Sequence, residues 1–213
     1  MDIKNIPEHE LARLREKAKE LSGSTTDYQS EYSSLLTRRV NHEPLQYIEE
    51  YVPFYSISLK VDERCLIPRP ETEYLVQIIK DNIESPKKVL DVGTGSGCIA
   101  LMMKSIFPNS EVTGIDISED AIELANENSK LNSLEVSFFQ SNLLENVKET
   151  DHDLIVANLP YIPTENLNEL DREVIDYEPL TALNGGKDGL EIISNLINGL
   201  EERDYKEVNL FLE

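Results

Sequence analysis

Val89-Leu90-Asp91-Val92-Gly93-Thr94-Gly95-Ser96-Gly97-Cys98 is the stretch whose reading decides the fold. An apolar strand at residues 88–92 runs into a turn with glycine at every second position, and a helical pattern at 98–107 opens straight after it. Glycine admits backbone angles closed to other residues and, lacking a Cβ, lets a ligand approach the main chain. Strand, glycine turn and helix in that order predict a nucleotide-like ligand beyond the carboxyl end of the strand. The competing reading is a tight turn whose glycines serve packing alone. A dinucleotide site asks for glycine or alanine three places after Gly95, where Cys98 stands, and no Gly-Lys-Ser/Thr follows to make a phosphate loop. The Gly93-x-Gly95-x-Gly97 spacing is the form used for S-adenosylmethionine. Asp91, just below the turn, can brace its backbone amides or face the ammonium group of the ligand.

Downstream, strand and helix alternate, with strands at 111–115, 135–139, 153–157 and 207–212 and helices at 119–131 and near 190–201. Connections this short predict a doubly wound, mostly parallel α/β sheet with helices on both faces. The strand at 207–212 reads as a central one, so the sheet is expected to continue past Glu213 and the chain to be a fragment. Upstream, Leu11, Leu14, Ala18 and Leu21 share a helical face while Arg13, Glu16, Lys17 and Glu20 take the other. Ser22-Gly23-Ser24 ends that helix, and a second is expected from about residue 27 to 40. Two short strands at 51–55 and 57–61 follow. Leu66-Ile67-Pro68-Arg69-Pro70 then stiffens the path into a helix with Leu75, Val76, Ile79 and Ile83 on one face.

Two further constellations flank the glycine turn. Asp116 closes the second strand, about 20 residues beyond the turn, where a carboxylate can accept hydrogen bonds from two ribose hydroxyls. Ser118 can cap the next helix, which frees Asp116 for that role. At the end of the strand 153–157 stands Asn158-Leu159-Pro160-Tyr161. An amide or aromatic amine nitrogen is a poor nucleophile because its lone pair is delocalised. The Asn158 side-chain carbonyl and a main-chain carbonyl at Leu159 or Pro160 can each accept one of its N–H bonds, turning the lone pair toward a sulfonium methyl. Pro160 fixes the loop, and Tyr161 offers a ring face to a planar substrate group.

Composition narrows the partners. A chain of 213 residues with 20 Lys+Arg against 41 Asp+Glu carries a formal net charge of −21, which repels phosphates and argues against extended nucleic acid. No apolar run is long enough to cross a bilayer and no signal-peptide core opens the chain, so a cytoplasmic protein is expected. Cys65 and Cys98 make neither a disulfide framework nor a metal spacing, and His9, His42 and His152 read as surface or structural residues; no metal is expected.

With these residues in place the sequence resembles the PrmC/HemK family, the protein-(glutamine) methyltransferases of peptide chain release factors. The likeness rests on Glu43-Pro44-Leu45-Gln46-Tyr47-Ile48, Leu66-Ile67-Pro68-Arg69-Pro70-Glu71-Thr72-Glu73, the stretch from Asp91 to Gly97, Asn158 to Tyr161, and Tyr177-Glu178-Pro179-Leu180-Thr181-Ala182-Leu183. It implies methyl transfer from S-adenosylmethionine to the glutamine amide in the Gly-Gly-Gln loop of release factors, by a protein expected to be monomeric. It also implies a helical N-terminal substrate-recognition domain at 1–42, a β-hairpin linker at 43–70 and a methyltransferase domain at 71–213. By position, Asp91, Gly93, Thr94, Gly95, Ser96, Gly97, Asp116 and Asn158 would contact the donor, and Asn158, Leu159, Pro160 and Tyr161 the substrate glutamine. Asn142 stands where the family tends to carry an acidic residue against adenine, and Leu143 where an aromatic is common; both are expected at the donor site. The N-terminal region is shorter than the family's, and its final strand pair is missing, which would leave a sheet edge exposed. The competing readings are a nucleic-acid adenine methyltransferase, which would need a basic channel, and a non-catalytic truncated remnant.

Overall fold

The computed structural model describes residues 6–23, 27–203, 205 and 207–213; residues 1–5 and Ser24, on which parts of the reading above fall, lie outside them. Helix α1 (Glu8–Ser22) and helix α2 (Tyr28–Val40) pack side by side, with Asp27 capping α2 by accepting from the Gln29 amide at 3.1 Å. Their apolar faces, Leu11, Leu14 and Ala18 on one and Leu35 and Leu36 on the other, close a small core of their own. Leu21, expected on that face, is exposed, and Lys17, expected outside, is buried. The Lys17 amine is held inward by Glu50, at 3.1 Å.

A one-turn helix, α3 (Leu45–Glu49), begins the stretch expected to be all hairpin. Five residues are too few to show a period. Leu45 and Ile48 complete the helical core, while Tyr47 turns the other way and donates its hydroxyl to the Cys65 carbonyl at 2.6 Å. The hairpin follows as β1 (Tyr51–Phe54) and β2 (Ile57–Lys60), antiparallel as expected.

Then come α4 (Pro70–Asn82), β3 (Lys88–Val92), α5 (Cys98–Ile106), β4 (Glu111–Asp116), α6 (Glu119–Asn132), β5 (Ser137–Gln140), β6 (Leu154–Ala157), the short α7 (Arg172–Ile175), α8 (Glu191–Glu202) and β7 (Asn209–Leu212). The sheet runs β5-β4-β3-β6-β7 and every pairing is parallel. This is the doubly wound α/β sheet the alternation predicts. The strand read as central, β7, pairs with β6 on one side and has no second neighbour among the described residues.

Period-two alternation sorts the strand side chains into two layers. Val89, Leu154 and Val156 face α4, α5 and the hairpin; Leu90, Val92, Ile155 and Ala157 face Leu196 and Leu200 of α8. Strand order reverses between β3 and β6, since β4 and β5 build outward on one side and β7 on the other. A crevice opens at such a switch point, beyond the carboxyl ends of the strands. Among the described residues no helix is long and apolar enough to cross a membrane.

Candidate active site

The crevice is a cavity of about 410 Å³, lined on one side by residues 92–96 and on the other by Asn158, Leu159 and Pro160. The two tips that the sequence singles out therefore face one space. Gly95 sits at φ 53, and a Cβ built on it would meet only Cys65 Cβ, at 4.0 Å, so the main chain lies open to the cavity. Gly97 differs. At φ 82, its absent Cβ would stand 3.2 Å from Ala125 and from Phe138, and it does not line the cavity. Its lack of a side chain serves helix–sheet packing. Thr94 and Ser96 are buried and border the same space.

Asp91 is fully buried behind the turn and does not line the cavity. Its Oδ2 accepts from the Thr94 hydroxyl at 2.6 Å and the Ala100 amide at 3.1 Å, while Oδ1 is buried without a partner. Burial pushes its carboxyl up to about 7, against those two hydrogen bonds. Of the two roles open to it in the sequence, bracing the turn is the one its contacts show. Asp116 borders the cavity from the tip of β4. Its oxygens accept from the Gly95 amide at 2.9 Å and the Ser118 amide at 3.0 Å, and Ser118 caps α6 through the Ala121 amide at 3.2 Å. Burial raises the Asp116 carboxyl as well. A carboxylate accepts about four hydrogen bonds, so acceptor capacity remains for a ligand.

Asn142 and Leu143 also border the cavity. The Asn142 amide donates to Glu145 at 2.8 Å, and Leu143 holds a left-handed φ of 45, rare for a branched side chain. Across the cavity, Asn158 donates from Nδ2 to the Thr72 hydroxyl at 3.1 Å. Tyr161 is 54% exposed and lies outside the lining. The chain beyond it is zipped to the 183–186 segment, the Ile162 amide donating to the Leu183 carbonyl at 3.1 Å and Gly185 to Ile162 at 2.9 Å.

Sequence reasoning gave no site role to several lining residues: Leu66, Pro68, Arg69 and Thr72 on one flank, residues 179–182 on another. Both lie in the quoted motifs, so the signal was present without its geometry. Glu178 joins the two. Its buried carboxylate accepts from the Ile67 amide at 3.1 Å and pairs with Arg69. Cys65 and Cys98 line the cavity too, and burial pushes the Cys98 thiol up to about 12, so neither is poised as a nucleophile. Among the described residues no cluster of three or more His, Cys, Asp or Glu could hold a metal ion.

The chain matches the family model described as methyltransferase small domain over residues 70–176. It is 40% identical over 194 residues to the release factor glutamine methyltransferase of Thermodesulfovibrio yellowstonii, covering 89% of this chain and 70% of that one. The chain belongs to the release factor glutamine methyltransferase family. Another member, from Streptococcus pneumoniae, is 46% identical over 152 residues, covering 71% of this chain and 54% of its own length. The chain thus spans between about half and 70% of the curated relatives it matches. Among solved structures, the hMettl16 catalytic domain in complex with the MAT2A 3'UTR hairpin 6 aligns with a TM-score of 0.54 at 14% identity, over 74% of this chain and 60% of that one, a likeness of fold alone. The methyl donor of the family is S-adenosylmethionine. The cavity fits it: an open backbone turn at Gly95, an acidic residue with spare acceptor capacity at Asp116, and apolar walls at Leu143, Leu159 and Ile192.

Proposed function

We propose that the chain transfers the methyl group of S-adenosylmethionine to the side-chain amide nitrogen of the glutamine in the Gly-Gly-Gln loop of peptide chain release factors. The observation that carries this reading is one shared cavity, with the glycine turn of β3 on one wall and Asn158, Leu159 and Pro160 on the other. The names of the relatives supply the substrate class.

The donor would supply an electrophilic methyl on a sulfonium and leave as the neutral thioether when its S–CH3 bond breaks. The rest falls to the chain. Residues 93–96 and Asp116 hold the donor, Asp116 through the ribose hydroxyls and Asn142 and Leu143 beside the adenine. Asp91 keeps the turn in shape from behind, and Gly97 lets α5 start close to α6. Asn158 Oδ1 and a main-chain carbonyl at Leu159 or Pro160 accept the two N–H bonds of the glutamine amide, which aims the nitrogen lone pair and favours its pyramidal form. Tyr161, outside the lining, meets the loop that carries the glutamine as it enters. When the new C–N bond has formed, the nitrogen releases one of its two protons to water. No general base is needed before that point.

Residues 1–42 act as a substrate-recognition unit, the segment 43–70 as a linker and residues 71–213 as the methyltransferase domain. On this reading the enzyme is a cytoplasmic monomer whose partner is a protein. Incubation with radiolabelled S-adenosylmethionine and purified bacterial release factors, followed by mapping of the labelled residue, tests it. Label on the glutamine of the Gly-Gly-Gln loop is expected. Label on nucleic acid instead would transfer the same pocket to an exocyclic amine.

A further inference from the structure

An asparagine carboxamide has two ends of nearly equal shape, and only its carbonyl end can accept an N–H bond. Something must therefore decide which end of Asn158 faces the substrate. Beside it stand two groups from distant parts of the chain, Thr72 at the edge of the cavity and Glu213 behind it. Thr72, in the first turn of α4, is 2% exposed, and its hydroxyl accepts from Asn158 Nδ2 at 3.1 Å. Glu213, just after β7, donates its amide to the Ala157 carbonyl at 3.1 Å, and its side chain lies against both Thr72 and Asn158. Glu213 does not line the cavity, and its Oε2 is buried with no partner.

We infer that Thr72 and Glu213 are positioning residues that hold the Asn158 carboxamide with its carbonyl oxygen toward the substrate amide. The logic is one of donors and acceptors. Burial raises the Glu213 carboxyl, while contact with Thr72 and Asn158 opposes the rise; in its ionised form it only accepts, so the Thr72 hydroxyl then turns its proton toward Glu213 and presents its lone pairs to Asn158. Both neighbours then ask Asn158 for a proton, and only its –NH2 end can satisfy them. Among the described residues no donor engages Asn158 Oδ1, which is left for the substrate N–H. A flipped amide would set its carbonyl against the carboxylate and its –NH2 against the substrate –NH2. This gives a task to the threonine of the Leu66-to-Glu73 motif, which the binding roles above leave unused.

The inference rests on the proposed function, and four variants separate the two. Thr72→Val keeps the shape and removes the hydroxyl. With a purified release factor as substrate it should lower kcat about tenfold or more, as expected when a reacting group loses its alignment, while the Kd for S-adenosylmethionine and the thermal midpoint stay close to native. Thr72→Ser should restore kcat. Native kcat in Thr72→Val, beside an inactive Asn158→Ala, would overturn the orienting role and leave the proposed function standing. An active Asn158→Ala would remove both. Should Thr72→Val also lose donor affinity, Glu213→Leu, which leaves no acceptor, decides: a fall in kcat upholds the chain of bonds, and native kcat refutes it.

Discussion

Asn158 and Asp116 face the same cavity from different strands, and their loss should be felt in different constants. Replacing Asn158 with alanine removes the proposed acceptor of the substrate N–H bond, whose contribution is greatest while the nitrogen rehybridises. Turnover should drop about a hundredfold or more, equivalent to about 2.7 kcal/mol or more, with cofactor affinity falling far less; single-turnover rates and calorimetric titration of the donor read the two separately. Asp116→Ala should do the reverse. It leaves the Gly95 and Ser118 amides without their acceptor and removes the proposed ribose contact, so donor affinity that ignored the change would refute the role. Asp91 makes a third case through its charge. Its folded carboxyl titrates near 7 against an ordinary value of 3.8, so folding favours the protonated form. That contribution to stability is complete below about 4 and is lost as the pH climbs through 7. Asp91→Asn, neutral at every pH, should therefore gain stability relative to the parent between pH 4 and 7, measured by urea unfolding. A constant difference over that range would show that burial does not govern this carboxyl.

Elements meet through side chains that imitate backbone. On α6, Asn128 accepts from the Lys60 amide at 2.7 Å and donates to the Lys60 carbonyl at 3.0 Å, and Asn132 does the same for Ser58 at 3.3 and 2.8 Å. Two amides one helical turn apart thus stand in for a neighbouring strand along β2. Asn128 is fully buried and also donates to the Ser96 carbonyl at 2.9 Å, tying the hairpin to the donor turn. Asn128→Ala should cost about 2 kcal/mol or more, since buried partners are left unsatisfied, and should weaken donor binding too. Asn132→Ala, near the surface, should cost clearly less; the reverse ranking in urea unfolding would show that the hairpin is held by other means. This coupling was not legible in the sequence. Helix 119–131 could be read from its period and its Ser118 cap, but nothing local says that its asparagines face a strand about seventy residues earlier.

Charge acts on the molecule as a whole. A net charge of −21 opposes compaction through self-repulsion. Ion pairs relieve it locally: Arg39 bridges Glu10 of α1 and Glu173 of α7, and Arg64 holds Asp62 together with Glu127 of α6. These pairs are partly buried and so are screened little by salt, and screening of the net repulsion should dominate the response to salt. Raising sodium chloride from about 10 mM to about 0.3 M shortens the Debye length well below the molecular diameter and should raise the unfolding midpoint. A lower midpoint at high salt would mean that the pairs outweigh the net charge.

By itself the sequence determined the parallel α/β sheet, the hairpin, the glycine turn and the asparagine at the tip of β6. Each of these is written within about ten consecutive residues, as a period, a cap or a turn that local sterics enforce. The tertiary structure alone decided which residues back them. Thr72 and Asn158 are 86 positions apart, and Arg69 and Glu178 are 109. It also moved Lys17 inward and Leu21 outward, made Gly97 a packing residue, and set Asp91 behind the turn. Contacts across such separations leave no local period to read. They exist only once the sheet has brought the strand ends to one rim.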